Sequence, residues 1–256
     1  MTIVTITSDW NRGDYYLATL KGSLLSVRED LRIVEITNSI TCYDVLQEVF
    51  VLRNSYASFP KGTIHLMCVM SEPAAGFPMV IVFADGHYFI GLNDGRFSLL
   101  FSEPPSIAFE IERDHTGSSF SSPGLFAKGV RIITANTFQT ETKAVEILKE
   151  ITTEVVTGDD QIIGKVVYID SFGNAITDIS KIVFDRLHKG RDFTIFIQGP
   201  RARIERISQS YSQHSPGELL ALFNSVGMLE LAVNQGNITA LEGLGVSSEI
   251  RIKFYN

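Results

Sequence analysis

Apolar positions along the chain change their period at intervals, and each change marks an element. Ile3 to Thr7 is a short β-rich run that ends at Ser8-Asp9. From Tyr15 to Val27 the residues Leu17, Leu20, Leu24 and Val27 recur at helical spacing. Arg32 to Thr37 reads as a second strand. Asp44 to Tyr56 reads as a second helix, with Val45, Val49, Leu52 and Tyr56 on one face. Phe59-Pro60-Lys61-Gly62 is a stop signal, and Thr63 to Val69 is a nearly continuous apolar strand. This strand–helix alternation predicts right-handed crossovers and a buried parallel sheet. Strands near Met79 to Phe83 and His87 to Gly91 are joined by Ala84-Asp85-Gly86, an Asp-Gly hairpin signal. Glu103 to Gly124 reads as irregular, Thr140 to Thr152 as a helix, and Val155 to Gly164 as a linker. Beyond Lys165 the pattern predicts strands at 165–170, 192–198, 203–208, 228–233 and 249–254, separated by Gly and Pro turns. The expected architecture is an α/β domain over 1–157 with a mainly parallel sheet. A C-terminal antiparallel β-barrel domain is expected over 158–256.

One run breaks its own pattern. Val167 to Ile176 reads as a strand interrupted by Asp170, Ser171, Phe172, Gly173 and Asn174, types that suit a strand interior poorly. Together they suit a flat polar ligand such as a nucleoside. Asp accepts hydroxyl protons, Phe offers a stacking face, Gly admits close backbone approach and Asn both donates and accepts. A bulge or tight turn with a capping Asp explains the same residues. Asp9 closes the first strand, where α/β sheets bind ligands and where a carboxylate can chelate a ribose diol. A helix N-cap explains Asp9 equally well. Asn224 and the Asn234 to Asn237 loop bracket the strand Met228 to Val233, and their amides could reach a base edge or merely shape turns.

Composition narrows the partners. The chain has 256 residues, 45% hydrophobic and 20% charged, with a formal net charge of −7 and no long basic run. That argues against nucleic acid or an anionic membrane as partner. The start lacks a signal-peptide pattern and no apolar run reaches spanning length, so the expected location is cytoplasmic. Cys42 and Cys68 both sit in apolar surroundings and are expected to be buried thiols. His65 is expected in the core, and His115, in the Ser/Gly-rich segment, is a candidate site residue or a solvated loop residue. No Walker A loop, G-x-S-x-G elbow or H-x-x-x-H pair occurs, so metal and acyl-enzyme chemistry have no sequence support.

The ordered motifs resemble the S-adenosylmethionine (SAM) hydroxide adenosyltransferase family, the relatives of fluorinase and chlorinase. The similarity runs from Ser8-Asp9 and Tyr15 to Gly22 through Ile33 to Asn38, Phe59 to Leu66, Ala84-Asp85-Gly86 and Asn93-Asp94-Gly95. It is completed by Asp170 to Asn174, Asn224-Ser225 and Asn234 to Asn237. The resemblance implies an α/β domain, a β-barrel domain and a homotrimer with ligand sites between neighbouring subunits. It also implies SAM or adenosine as ligand, with no further cofactor. Asp9 would bind the ribose hydroxyls and Tyr43 would lie against the substrate. Asp170 and Asn174 would hold the methionine part, Phe172 would pack on adenine, and Asn224 and Asn234 would line the adenine side.

The departures fall on the water-handling positions. Where the hydrolytic family has a D-P-G-V-G-x-x-R-like run, this chain has Met70 to Phe77, so Met70 stands for the Asp and Phe77 for the Arg. Phe120 to Gly124 replaces an F-H-G-R-D-like run, with Ser121 for the His. The family reaction is attack by water or hydroxide at ribose C5′ with methionine leaving. Met, Phe and Ser cannot orient water and take its proton as Asp, Arg and His do. Three readings remain open: a rewired hydrolase in which His115, Glu72, Ser121 or Ser122 substitutes; a catalytically silent binder of SAM or adenosine; and displacement by a halide with Ser121 and Ser122 as donors.

Overall fold

β1 (Ile3–Thr7) leads into α1 (Tyr15–Val27), β2 (Arg32–Thr37), α2 (Val45–Arg53) and β3 (Ile64–Met67). α1 buries Leu17, Leu20 and Leu24, the spacing that the sequence predicts. α2 starts where the Asp44 carboxylate accepts the Gln47 N–H at 2.8 Å, a side-chain N-cap. It ends before the expected Tyr56, which instead opens a 3₁₀ turn, Tyr56–Ser58. β4 (Met79–Ala84) and β5 (His87–Leu92) form the expected hairpin. Asp85 and Gly86 have φ of 51° and 76°, the left-handed pair that an Asp-Gly hairpin turn requires. α3 (Arg96–Leu100), β6 (Ile107–Ile111), α4 (Ser122–Ala135), α5 (Phe138–Glu141) and β7 (Thr142–Glu146) follow.

The computed structural model describes every residue except 12, 102, 114–119, 150–154, 200–201 and 256. It divides into two units, Met1–Thr152 and Thr153–Asn256. The first unit's sheet has the order β2-β1-β3-β5-β4-β6-β7. β1 pairs in parallel with β2 and β3, and β3 with β5, while β4 and β7 run against their neighbours. The sheet is therefore mixed but mainly parallel, as expected. Helices cover both faces. Val4, Ile6, Leu66 and Ile90 pack with α1 and α4 on one side, and Met67, Val80 and Phe89 pack with residues of α2 and α3 on the other.

Two expectations for this unit fail. The helix expected at 140–152 is replaced by α5 and β7; residues 150–152 lie outside the described residues. Thr142 and Val145 are β-branched, and this segment completes the sheet by pairing along the whole of β6. The expected irregular stretch 103–124 holds β6 and the start of α4; its residues 114–119 lie outside the described residues. Tertiary pairing of Ala108 and Ile111 into the core overrides the local Pro and Ser signals.

The second unit consists of β8 (Val156–Thr157), β9 (Gln161–Ile169), β10 (Ala175–Ser180), α6 (Lys181–His188), β11 (Asp192–Ile197), β12 (Ala202–Ile204), β13 (Leu219–Phe223), β14 (Met228–Val233), α7 (Ile238–Glu242) and β15 (Glu249–Tyr255). Its sheet runs β12-β11-β15-β9-β10-β14-β13, with β8 added on β9, and every pairing is antiparallel. Ser208 N–H donates to Ala221 C=O at 2.7 Å, tying the segment after β12 to β13 and nearly closing the barrel. The expected linker 155–164 is instead β8 and the start of β9. The run at 167–176 is not one interrupted strand: β9 stops at Ile169, a turn intervenes, and β10 starts at Ala175 opposite it.

Candidate functional site

Asp9 stands just beyond the carboxyl end of β1, and Met70 to Glu72 beyond that of β3. Together with Trp10, Tyr43 and Phe120 they line an open cavity of about 710 Å³. Open α/β sheets bind ligands at this end of their strands. The N-cap of α1 is Asp14, so capping is not the task of Asp9. Instead Asp9 Oδ2 accepts the Tyr43 N–H at 3.0 Å, and Oδ1 has no hydrogen-bond partner among the described residues. Tyr43 and Met70 hold left-handed φ of 69° and 45°. Such backbone costs a non-glycine residue about 1 to 3 kcal/mol and gathers at ligand sites. Both side chains are exposed, Tyr43 at 75% and Met70 at 53%. Trp10 and Tyr16 each meet Phe120 edge-on, at 5.5 and 5.1 Å between centroids, giving one wall an aromatic surface.

The polar centre of this region is Glu72. Its carboxylate accepts four hydrogen bonds from the start of α4: Ser121 N–H at 2.8 Å, Ser121 Oγ at 2.6 Å, Ser122 N–H at 3.1 Å and Ser122 Oγ at 2.9 Å. Arg113 Nη2 adds a salt bridge at 3.0 Å. Burial pushes the Glu72 carboxyl up, but the serine bonds outweigh it and hold the group below its ordinary value. Ser122 is fully buried and Ser121 half-buried. His115 lies outside the described residues. Phe77 is exposed, and Met70 lines the cavity.

Beneath this loop lies a buried charge network. Glu48 Oε1 accepts Val69 N–H at 2.9 Å, and Arg96 Nη1 donates to Val69 C=O at 3.0 Å and to Glu48 Oε2 at 2.9 Å. Arg96 also holds Asp94 through Nε and Nη2. The pair thus clamps Val69 from both sides of its backbone, immediately before strained Met70. The two groups respond to burial differently. Burial pushes Glu48 up to about 8 against the pull of Arg96. Burial also works against the Arg96 charge, but its bonds to Asp94 and Glu48 outweigh that and keep it charged. Sequence reasoning missed both residues. The available signal was a lone Glu on the apolar face of α2, beside Val49 and Leu52.

His65 is buried, as expected. Its Nδ1 pairs with Thr5 Oγ1 at 2.7 Å and its Nε2 with His87 Nδ1 at 3.2 Å. Burial drives His65 down to about 3, with His87 adding to the shift. Cys68 is buried as expected, but Cys42 is exposed and lines the cavity. Its apolar sequence neighbours Ile40 and Tyr43 diverge, Ile40 turning inward and Tyr43 outward.

In the second unit Asp170 organises the β9–β10 turn. Its Oδ1 accepts Phe172 N–H and Asn174 N–H, each at 2.9 Å, and its Oδ2 accepts Asn174 Nδ2 at 2.9 Å. Gly173, at φ 79°, lies against the Asn237 side chain so closely that a Cβ there would stand 2.2 Å from it. The turn and the 234–237 loop are therefore adjacent. Asn237 caps α7 through Ala240 N–H. Phe172 is 74% exposed, whereas Asn174 is buried. Asn224 Nδ2 donates to the buried Glu230 at 3.2 Å, and Tyr211 OH donates to the other Glu230 oxygen. Asn234 Nδ2 instead donates to His214 C=O at 2.7 Å. Burial and Glu230 raise the Tyr211 hydroxyl, with Asp170 contributing from nearby. Glu230 and Tyr211 were not singled out from sequence, because a Glu alternating within an apolar strand reads as solvent-facing.

Residues 4–143 fit the family model of the SAM hydroxide adenosyltransferase N-terminal domain, and residues 164–251 that of its C-terminal domain. The chain belongs to the SAM hydroxide adenosyltransferase family. The (R)-S-adenosyl-L-methionine hydrolase of Methanocaldococcus jannaschii is 26% identical, over 98% of this chain and 96% of its own. The protein of the same name from Thermus thermophilus is 24% identical over 99% of both chains. In fold, the chain resembles an uncharacterised conserved protein from Thermotoga maritima, with a TM-score of 0.83, 21% identity, and 98% and 99% of the two chains covered. It also resembles a conserved hypothetical protein from Thermus thermophilus, with a TM-score of 0.76, 22% identity and both chains covered in full. Among the described residues no helix is long and apolar enough to cross a membrane, and no cluster of His, Cys, Asp or Glu could hold a metal.

Proposed function

We propose that this protein binds SAM and hydrolyses it to adenosine and methionine. The observation that carries the reading is Asp9. Tyr43 anchors one of its oxygens, and the other has no partner among the described residues at the edge of an aromatic-walled cavity. A ribose diol supplies the two hydroxyl donors that such a carboxylate accepts. In the reaction a water oxygen bonds to C5′ as the C5′–S bond breaks. The electron pair stays on sulfur, which leaves as the neutral thioether of methionine, and the water releases a proton. The sulfonium is already a good leaving group, so catalysis consists mainly of placing and desolvating the nucleophile. Names of the curated relatives support SAM as the substrate and its hydrolysis.

The water-handling groups of the family are rebuilt in this reading. An offset of two residues places Glu72-Pro73 on the Asp-Pro of the D-P-G-V-G-like run and Gly76 on its second Gly. The family's Arg then falls on Met79, buried in β4, and Arg113 supplies a guanidinium to Glu72 from another segment. Asp170, Phe172, Asn174, Asn224 and Asn234 contribute to ligand binding from the barrel unit, and the assembly is a homotrimer in the cytoplasm.

The test is chemical. Purified protein is incubated with SAM, prepared with each configuration at sulfur, in oxygen-18 water. Equal amounts of adenosine and methionine should form, with the label in the 5′-hydroxyl. A second reading is a silent binder, favoured by the apolar Met70 side chain in the cavity. SAM that raises the melting temperature without yielding adenosine over hours would establish that reading in place of hydrolysis. If neither SAM nor adenosine shifts the melting temperature, both readings fail. Sedimentation gives the assembly, and a monomer or dimer would refute the trimer.

A further inference from the structure

We propose that Glu48 and Arg96 are positioning residues for ligand binding: the pair sets the spacing of Tyr43 and Met70, two exposed side chains of the Asp9 cavity. This rests on the reading above that SAM binds there through its adenosyl part. β3 leaves the ladder after Met67, and Cys68 N–H makes the last bond to β1, donating to Thr7 C=O at 2.9 Å. Val69 is buried, so its backbone groups need partners inside the protein. No strand pairing reaches it. Glu48 accepts its N–H and Arg96 donates to its C=O. The pair thus does for Val69 what the flanking strands do for Leu66.

Both members of the pair are fixed in turn. Glu48 lies one turn into α2, where its N–H donates to Asp44 C=O at 3.2 Å. Asp44 caps that helix and directly follows Tyr43, whose N–H holds Asp9. A shift of Glu48 relative to Val69 therefore moves Tyr43 relative to Met70. Arg96 opens α3 and cannot swing away, because Asp94 grips its Nε and Nη2 at 2.9 and 2.8 Å. The Glu48 and Arg96 side chains are both fully buried. A charge pair so placed adds little to stability, since desolvation offsets its attraction, but it can specify one geometry. The segment beyond Val69 needs such a hold. Met70 keeps left-handed backbone, and the Ser71 hydroxyl is buried with no hydrogen-bond partner among the described residues. Each is a cost that the segment could relieve by moving. Tyr43 is strained in the same way, and the Glu48–Arg96 pair joins the two strained parts of the wall.

The test uses full-length wild type, Arg96→Lys and Glu48→Gln. Lysine keeps the charge, but its single nitrogen cannot serve Val69, Glu48 and Asp94 together. Glutamine keeps an acceptor for Val69 N–H and sets an amide NH2 where Arg96 needs an oxygen. Hydrogen exchange without ligand is followed by mass spectrometry. In either variant, peptides holding Tyr43 and Val69 to Ser71 should exchange about tenfold faster, while those of α1 and β4 keep the wild-type rate. Adenosine, titrated by calorimetry where each variant is fully folded, should bind about tenfold more weakly. Because the pair acts through Tyr43, Arg96→Lys should weaken binding by a smaller factor in a Tyr43→Ala background. Faster exchange spread evenly over the first unit overturns the inference, as does unchanged exchange at Tyr43. Wild-type affinity in both variants overturns it too, and so does a full loss from Arg96→Lys in the Tyr43→Ala background. If one variant does not fold, the other decides; if neither folds, the pair serves the fold alone and the inference falls. If wild type binds neither SAM nor adenosine, the ligand reading fails separately, and exchange at Tyr43 alone upholds or overturns the positioning.

Discussion

At the scale of single residues, Asp9 and Asp170 show how one residue type does two jobs. Asp9 spends one oxygen on the Tyr43 N–H and keeps the other free among the described residues. A hydrogen bond to a charged group is worth about 1.5 to 3 kcal/mol. Asp9→Asn should therefore weaken SAM or adenosine binding roughly ten- to a hundredfold. Calorimetric titration measures this, and the melting temperature should hardly move. A large loss of stability with unchanged affinity would make Asp9 structural. In sequence Asp9 stands out as the end of an apolar strand, but a helix N-cap explains it equally well there, and only the placement of that cap at Asp14 removes the alternative. Glu72 is legible only as one of several substitutes for the missing groups. Its real partners, Ser121, Ser122 and Arg113, are about forty to fifty positions away in the chain, and no local pattern announces them.

At the scale of elements, the β9–β10 turn is held by three bonds to the Asp170 carboxylate, all from within the turn. Asp170→Ala leaves two backbone N–H groups to find new partners. Unfolding by urea should show the barrel unit destabilised by roughly 1 to 3 kcal/mol. If SAM affinity also falls after allowance for the unfolded fraction, the turn binds ligand as well as folding the barrel. A variant as stable as wild type would refute the turn's dependence on Asp170. The chemistry of this run is legible in sequence, but its geometry is not. Asp, Gly and Asn mark a break in either case, and only the pairing of Ile169 with Ala175 makes the break a hairpin. β10 and β13 are missed for opposite reasons. β10 carries polar residues, and β13, Leu-Leu-Ala-Leu-Phe, is rich in helix formers. Non-local antiparallel pairing overrides both. The opposite holds for α1, whose Leu spacing alone predicts its buried face and both its ends.

At the scale of the whole molecule, stability should depend on pH through the His65–His87 pair. Both histidines sit below their ordinary values, chiefly because burial disfavours the imidazolium. The unfolded chain then binds protons near pH 6.5 that the folded chain refuses. Stability from these groups is full above that pH and is lost as pH falls. His65 alone should account for about 2 kcal/mol between pH 7 and pH 5. The Glu48 carboxyl, pushed up to about 8, acts with the opposite sign over the same range, so the loss is read from urea midpoints of wild type against His65→Gln: the gap between the two proteins should change by that amount from pH 7 to pH 5, and an unchanged gap would remove His65 as its source. The chain's two thiols differ as sharply in another respect. Cys68 is wholly buried and its thiol is pushed up by burial, whereas Cys42 is exposed at the rim of the Asp9 cavity. The native protein should therefore take up a single equivalent of an alkylating reagent, at Cys42. A bound nucleoside should shield that sulfur, so the rate of labelling becomes an occupancy gauge built into the chain. Such a gauge needs neither turnover nor an engineered probe, and it would register a ligand that the protein holds without transforming.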